Sequence, residues 1–400
     1  MGGQEHRKVE RDDGGDGRER EAAGEAPAAL AVRLVPIVAA DRVVADVLRY
    51  QKAAQHVLDV SWNPYLTRHL YPYPPLWIWF EAGSEWLART TGASFAVVVK
   101  LPVLLADLGI VAVLARWAGD SRAAQRASWL FALHPVSILV TGFHGQFDSL
   151  MLFFVLLSLR WREAGREDAS ALALSAAIAT KSFPALLLPL FVLAPGVSRT
   201  ARFVLLATVP VLLLLLPYAA ADIGALRREL IGYGGVADFG WIGAWRGLRW
   251  LATGALARAE AARWGVPIPV AKALFVGAYM TLLWAFATRR LRWTLTQATL
   301  AVFLGFLVFY GAISAQYLLW PVPLAVLFPD AWFALYSVAA TAALIGFYLF
   351  LAPGVLQAAS APGTLGPETA GTVWACGATA VLVIGAAWLV ALVRRGRGAA

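Results

Sequence analysis

The side chains with the clearest capacity for chemistry sit in HGQFD, His144 to Asp148, between the apolar runs FALHPVSILVTGF and SLMLFFVLLSL. An imidazole, a carboxamide and a carboxylate at one interruption are costly to bury unless paired, so they are expected to form a hydrogen-bonding network able to receive a hydroxylated ligand. A polar clamp between helices is the competing reading, with Asp148 capping a helix that starts at Ser149.

Further candidates lie far away in the chain. Asp46 and Tyr50 are four apart and share a helical face, whereas Asp41 and Asp46, five apart, need not. VLRYQKAAQHVL after Asp46 has helical periodicity, so Asp46 serves equally as an N-terminal residue stabilising free N–H groups or as a carboxylate that removes a proton from an acceptor hydroxyl. Lys181, in ATKSFPALLLP, stands at a break permitted by Pro184 and suits either a phosphate or an internal salt bridge. ELIGYGGVADFGWIGAWRGLRW places Arg246 and Arg249 among glycines and aromatics, as a cover over a lipid-linked substrate or an interfacial girdle would. Gln316 and Tyr317 separate two further apolar arms. No nucleotide-binding glycine fingerprint, HExxH or paired CxxC occurs, which favours a donor delivered in the bilayer over a soluble nucleotide sugar.

The elements that must position these groups are membrane helices. Hydrophobic residues are 60% of the 400 and charged residues 15%, which excludes an ordinary soluble composition. The net charge of +9 falls in short Arg clusters between apolar segments, a topology signal and not a nucleic-acid surface. Cys376 is the single cysteine, so no intrachain disulfide or cysteine metal site can form. Crossings are expected near 27–40, 95–115, 127–143, 147–161, 169–182, 184–196, 203–219, 267–288, 294–313, 316–329, 331–352 and 371–393. The organisation is then a disordered cytoplasmic tail over 1–26, one membrane domain over 27–393 and a basic cytoplasmic tail over 394–400. If the clusters at Arg116, Arg122 and Arg126, at Arg160, Arg162 and Arg166, at Arg199 and Arg202, at Arg289, Arg290 and Arg292, and at Arg394, Arg395 and Arg397 all face the cytoplasm, the two interrupted blocks are hairpins. The first loop (41–73), HGQFD, Lys181, the long loop (220–266) and Gln316-Tyr317 then share the outer face. Residues 73–88 are expected to form an amphipathic helix at that face, a kinked crossing being the alternative. Arg33, inside the first crossing, is expected to snorkel toward the cytoplasm.

Asp46-x3-Tyr50, NPY (Asn63 to Tyr65), YPPL (Tyr73 to Leu76), HPVSILVTGFHGQFDSL, KSFP and SAQYLLWPVPL, in that order, resemble the multispanning GT-C glycosyltransferases. HGQFD is similar to the histidine motif of the dolichyl-phosphate-glucose transferases. The first loop and QYLLW are more similar to the mannosyltransferase that acts first in glycosylphosphatidylinositol synthesis. The resemblance runs from Ala28 to Pro329 and implies an all-α GT-C-like helix bundle with outer-face loops. It further implies an essential aspartate on the first outer loop, which falls on Asp46, with Asp41 the weaker match and Tyr50 and Tyr73 in supporting, acceptor-side positions. Asp148 takes the place of the family's second acidic position, and His144 and Lys181 match positions near the donor phosphate. Gln146 stands where relatives carry a metal-binding acid, so a site without metal or other cofactor is expected.

The implied partners are a polyprenyl-phosphate-linked sugar, a glycan, glycolipid or glycoprotein acceptor, and the bilayer. The implied reaction is an inverting transfer of a hexose, mannose foremost, with a glucosyltransferase of the same kind as the variant reading. Asp46 deprotonates the acceptor, and Lys181, Arg246 and His144 stabilise the leaving phosphate, with Arg249, Gln146, Asp148, Gln316 and Tyr317 lining the donor side. A flippase for a lipid-linked saccharide would need similar broken helices, but is expected to show repeated halves or polar groups across the midplane. A non-catalytic scaffold is the third class.

Overall fold

The computed structural model describes residues 14–39, 45–117, 121–195, 200–232, 235–259, 264–265, 267–356 and 366–397. Among the described residues the chain is all helical, and its one β-type pairing is an isolated bridge between Phe239 and Ile313. The principal helices are α1 (Gly14–Ala39), α2 (Ala45–Asp59), α3 (Leu76–Thr91), α4 (Leu101–Ala115), α5 (Ser121–Ala132), α6 (Asp148–Glu163), α7 (Glu167–Thr180), α8 (Leu188–Leu193), α9 (Thr200–Gly232), α10 (Gly240–Thr253), α11 (Pro267–Ala287), α12 (Leu295–Phe309), α13 (Ala331–Phe350) and α14 (Pro367–Gly396). Among the described residues five helices are long and apolar enough to cross a membrane, and six if the bent pair Arg122–Ala132 and Pro135–His144 counts as one. Other expected crossings are shorter helices, among them Phe183–Leu193 and Leu295–Phe309.

Two boundaries differ from expectation. The first helix begins at Gly14, because REREAAGEA is rich in strong helix formers; residues 1–13 lie outside the described residues. Helix α9 continues to Gly232, so the long loop starts later than residue 220. Asp222 leaves helical geometry and its Oδ1 accepts the N–H of Ala225 at 2.9 Å, restarting the helix through ALRREL.

Arg33 does not snorkel. It is fully buried, with Nε 2.5 Å from Asp107 Oδ2, Nη1 2.6 Å from the carbonyl of Ala132 and Nη2 2.9 Å from Ser137 Oγ. Pro135 has no N–H to offer the carbonyl of Phe131, and Arg33 Nη2 donates to that oxygen at 3.2 Å. Thr141 completes the network by donating to Asp107 Oδ2 at 2.7 Å. An unpaired charge would be very costly here, so the pair fastens α1 and α4 to α5 and to the bent segment after it that carries His144.

Helix α3 packs on α2, and its acidic residues point inward. Glu81 and Glu85 are buried, while Trp79 and Trp86 are 52% and 59% exposed. Glu85 accepts from Gln51, Gln55 and Arg89, which explains why this carboxylate faces protein. Helices α13 and α14 approach closely where Gly346 meets Trp374 and Gly377 meets Ala343, the small-residue contact usual for helices in lipid, and Ala375 of α14 meets Gly247 of α10.

The arginine clusters gather at one end. Arg160 donates to the carbonyl of Arg116, Arg162 to that of Pro195, Arg202 pairs with Asp168 and Arg395 with Asp330. Asp148 and Arg162 occupy opposite ends of α6, so HGQFD belongs to the other end of the bundle.

Candidate active site

The HGQFD turn is made by a loosened helix. After Pro135 the backbone runs as a π-helix over Ile138–His144, and Gly145 closes it at φ +78°. That left-handed geometry suits glycine, and a Cβ there would press on the Lys100 side chain and Val47. Lys100 Nζ donates to the carbonyl of Phe143 at 3.0 Å and Gln146 N–H to that of Val140 at 3.1 Å, so the interrupted ladder is satisfied within protein.

Two of the HGQFD side chains converge on Asp46. His144 Nε2 lies 3.0 Å from Asp46 Oδ2, and Gln146 Nε2 donates to the same oxygen at 2.5 Å. Tyr50, one turn after Asp46 on α2, donates to Gln146 Oε1 at 2.9 Å, which fixes the amide's orientation. On its far side His144 Nδ1 meets the hydroxyl of Tyr348 at 3.1 Å. Facing a carboxylate, Nε2 carries the hydrogen, and in the neutral ring Nδ1 accepts from Tyr348. Asp46 Oδ1 makes no hydrogen bond among the described residues; Arg49 is 3.9 Å away and the side chain is 31% exposed. Burial pushes the Asp46 carboxyl up, but the hydrogen bond and charge of His144, then Arg49 and Gln146, outweigh it and hold the group below the ordinary carboxylate value.

An aromatic platform seats α2 on the turn. Trp77 stacks on Phe147 with centroids 4.6 Å apart, Tyr50 meets both rings edge-on, and Tyr73 meets Phe147 at 4.8 Å.

Asp148 turns away from this cluster. It begins α6 without a capping bond, and its Oδ1 accepts from Lys181 Nζ at 2.8 Å and from Trp320 Nε1 at 2.5 Å. Lys181 is buried and lies 4.7–5.9 Å from the ring centroids of Tyr317, Phe147, Trp320 and Tyr73. Gln316, beside Tyr317, is mostly buried and makes no side-chain hydrogen bond among the described residues.

The remaining candidates are placed differently. Arg246 is buried and donates to the carbonyls of Ala237 and Ala257 and toward Asp238 Oδ1, at 3.4 Å, while lying over Trp374. Its fork is engaged in shaping the long loop. Arg249 is exposed over Trp245. Asp41 lies outside the described residues.

Sequence reasoning missed Tyr348, Trp320 and Asp238. Tyr348 reads as one more aromatic in an apolar span and carries no signal. Trp320 was visible in QYLLW, and Asp238 as the lone acid of the glycine-rich loop. Asp107, also passed over, was readable as an acid inside a crossing that must pair with something, and Arg33 was the obvious partner.

No three His, Cys, Asp or Glu side chains come together as a metal cluster among the described residues. Gln146 directs an amide N–H at Asp46, and a cation at that position would face this donor, so the residues present do not fit a metal between 46 and 146.

Fold and site together define a polytopic helical membrane protein with a polar centre at one end of its bundle. Residues 49–196 match the family model described as alpha-(1->6)-mannopyranosyltransferase, N-terminal domain, a little over a third of the chain. The similarity is of the GT-C mannosyltransferase kind, and the matched stretch contains Tyr50, Tyr73, His144, Gln146, Asp148 and Lys181; Asp46 stands three residues before it. No curated protein matches the chain.

Proposed function

We propose that the protein is an inverting glycosyltransferase that moves a hexose, mannose foremost, from a polyprenyl-phosphate carrier to a glycan or lipid acceptor outside the cytoplasmic leaflet. The observation that carries this reading is Asp46, whose Oδ2 is held by His144 and Gln146 while Oδ1 is left for a substrate. The GT-C-type similarity of residues 49–196 supports the same reaction class.

In the reaction an acceptor hydroxyl lies against Asp46 Oδ1. Its oxygen attacks the anomeric carbon as the bond from that carbon to the phosphate oxygen breaks, and its proton passes to Asp46. The phosphate leaves as an anion, so it needs charge stabilisation and no general acid; Lys181 supplies positive charge and Gln316 an amide N–H. Asp148 and the surrounding rings hold the ammonium in place. A single displacement inverts the anomeric centre, and the cluster provides one base with no second nucleophile beside it. No divalent metal takes part, because an amide occupies the position of an acidic ligand. The end of the bundle opposite the arginines is the extracytoplasmic one, in keeping with the bias of basic loops, and both termini are cytoplasmic.

The test is transfer by the purified protein in lipid nanodiscs, offered synthetic polyprenyl-phosphate mannose, glucose and arabinose with cell-envelope lipid acceptors, and read by mass analysis. A product one mannose heavier, with inverted linkage, is expected. Movement of the donor between leaflets without a glycosylated product would contradict the enzyme reading and favour a flippase.

A further inference from the structure

Asp238 is fixed from three directions on the loop between α9 and α11. Its N–H and that of Phe239 both donate to the carbonyl of Ile313, at 3.1 and 2.8 Å, and its own carbonyl accepts from Trp374 Nε1 at 3.2 Å. Its Oδ1 faces Arg246 at 3.4 Å, longer than the 2.9 Å bond from Arg246 Nε to Ala257. Oδ2 has no partner among the described residues, and the side chain keeps 12% of its surface open whereas Arg246 keeps 2%. Arg246 therefore engages one carboxyl oxygen at long range and leaves the other to a further partner.

Two contacts tie the residue to the elements that carry the site. Phe239 packs on Phe347 at 5.6 Å, and the next residue, Tyr348, touches His144. In the other direction Ile313 leads within three residues to Gln316, beside the Lys181 cage. Asp238 is thereby joined, through Phe239, to the helix that carries Tyr348 and to the segment that carries Gln316. Burial pushes its carboxyl up and Arg246 draws it back; Asp46 and His144 also act on it, and the group rests at about 6. Asp46 and His144 thus lie within electrostatic reach of the Asp238 carboxyl.

We propose that Asp238 is a sugar-binding residue of this site, its Oδ2 accepting a hydrogen bond from one hydroxyl of the sugar being transferred. The inference rests on the transferase reading and adds a donor-specificity residue to it. Sugar hydroxyls present a ring of donors, and a fixed carboxyl oxygen selects the one whose position it matches. Such a bond strengthens as positive charge develops on the sugar ring in the transition state, the effect known for glycosyl transfer to water. The leaving phosphate would be repelled by Asp238, which assigns the carboxyl to the sugar rather than to the carrier.

The experiment compares full-length wild-type protein with Asp238→Asn, which retains an acceptor for Arg246 and replaces Oδ2 by an amide. Both are assayed with polyprenyl-phosphate mannose and with its 2-, 3-, 4- and 6-deoxy analogues. The wild type is expected to penalise one deoxy position about 10- to 100-fold in kcat/KM, the equivalent of a hydrogen bond to a charged group. In Asp238→Asn the parent donor loses a similar factor and the penalty at that one position disappears, while penalties elsewhere persist. An equal loss with every donor, or wild-type kinetics, overturns the inference and leaves the transferase reading intact. If Asp238→Asn fails to fold, Asp238→Ser carries the same comparison. A wild-type protein that transfers nothing from any carrier-linked sugar overturns the function and this inference together.

Discussion

Asp46 Oδ2 lies 3.0 Å from Nε2 of His144, a contact that joins the first helical segment after α1 to the turn before α6. This bond and the charge behind it are leading causes of the lowered Asp46 carboxyl, set against burial, which acts the other way. A depressed carboxyl stays ionised as pH falls, so the base form survives to below the ordinary carboxylate value. His144→Ala removes the largest lowering contribution and leaves Arg49 and Gln146 against burial, so the acid limb of kcat/KM moves to higher pH. The pH profiles of wild type and variant check this; coincident acid limbs would contradict it.

Lys181 and Asp148 form a buried pair at 2.8 Å. Removing one partner of such a pair leaves an uncompensated charge and costs about 3–5 kcal/mol. Lys181→Met is expected to lower the unfolding temperature in detergent, and Lys181→Met with Asp148→Asn to regain most of the loss. The double variant still binds donor poorly, because the cation is gone. Thermal unfolding and donor titration separate the two effects; full donor affinity in the stable double variant would remove Lys181 from the phosphate side.

Gly145 holds the turn at φ +78°. A Cβ there costs about 1–2 kcal/mol in backbone conformation alone, and it presses on Lys100. Gly145→Ala is expected to insert and fold, yet to shift His144 and Gln146 from Asp46. A misplacement of that kind lowers transfer by about 100-fold. Turnover per folded molecule is the measurement, and turnover near wild type would show that the turn's geometry is not needed.

Exhaustive chelation of divalent ions is expected to leave transfer unchanged, because Gln146 presents an amide N–H where an acidic ligand would stand. Activity assayed before and after chelation, with Mg and Mn added back, decides it. Strict and reversible dependence on either ion would contradict the reading.

Much of the architecture was legible because it rests on strong local signals. HGQFD and Pro184 marked the interruptions, and the arginines marked the end of the bundle they occupy together. HGQFD stood out because polar side chains among apolar ones have few uses. Its division was not legible: nothing local says that His144 and Gln146 turn to Asp46 while Asp148 turns to Lys181, since that choice is made by π-helical geometry and by Gly145. Tyr348 and Trp320 were hidden for a different reason. An aromatic in a membrane helix is the usual filling of a core, and only the partner of its hydroxyl or indole N–H distinguishes it. Arg33 was misjudged because snorkelling is a rule for residues near helix ends, and a carboxylate on α4 offered a nearer partner.

The most direct measurement is transfer of mannose from synthetic polyprenyl-phosphate mannose by purified wild-type protein and by Asp46→Asn, with donor binding measured on the same samples. Asp46→Asn is predicted to fold and to bind donor as the wild type does while losing turnover by about 100-fold or more, the contribution of a positioned base. Turnover close to wild type in a folded, donor-binding Asp46→Asn protein would contradict the assignment of Asp46 as the base.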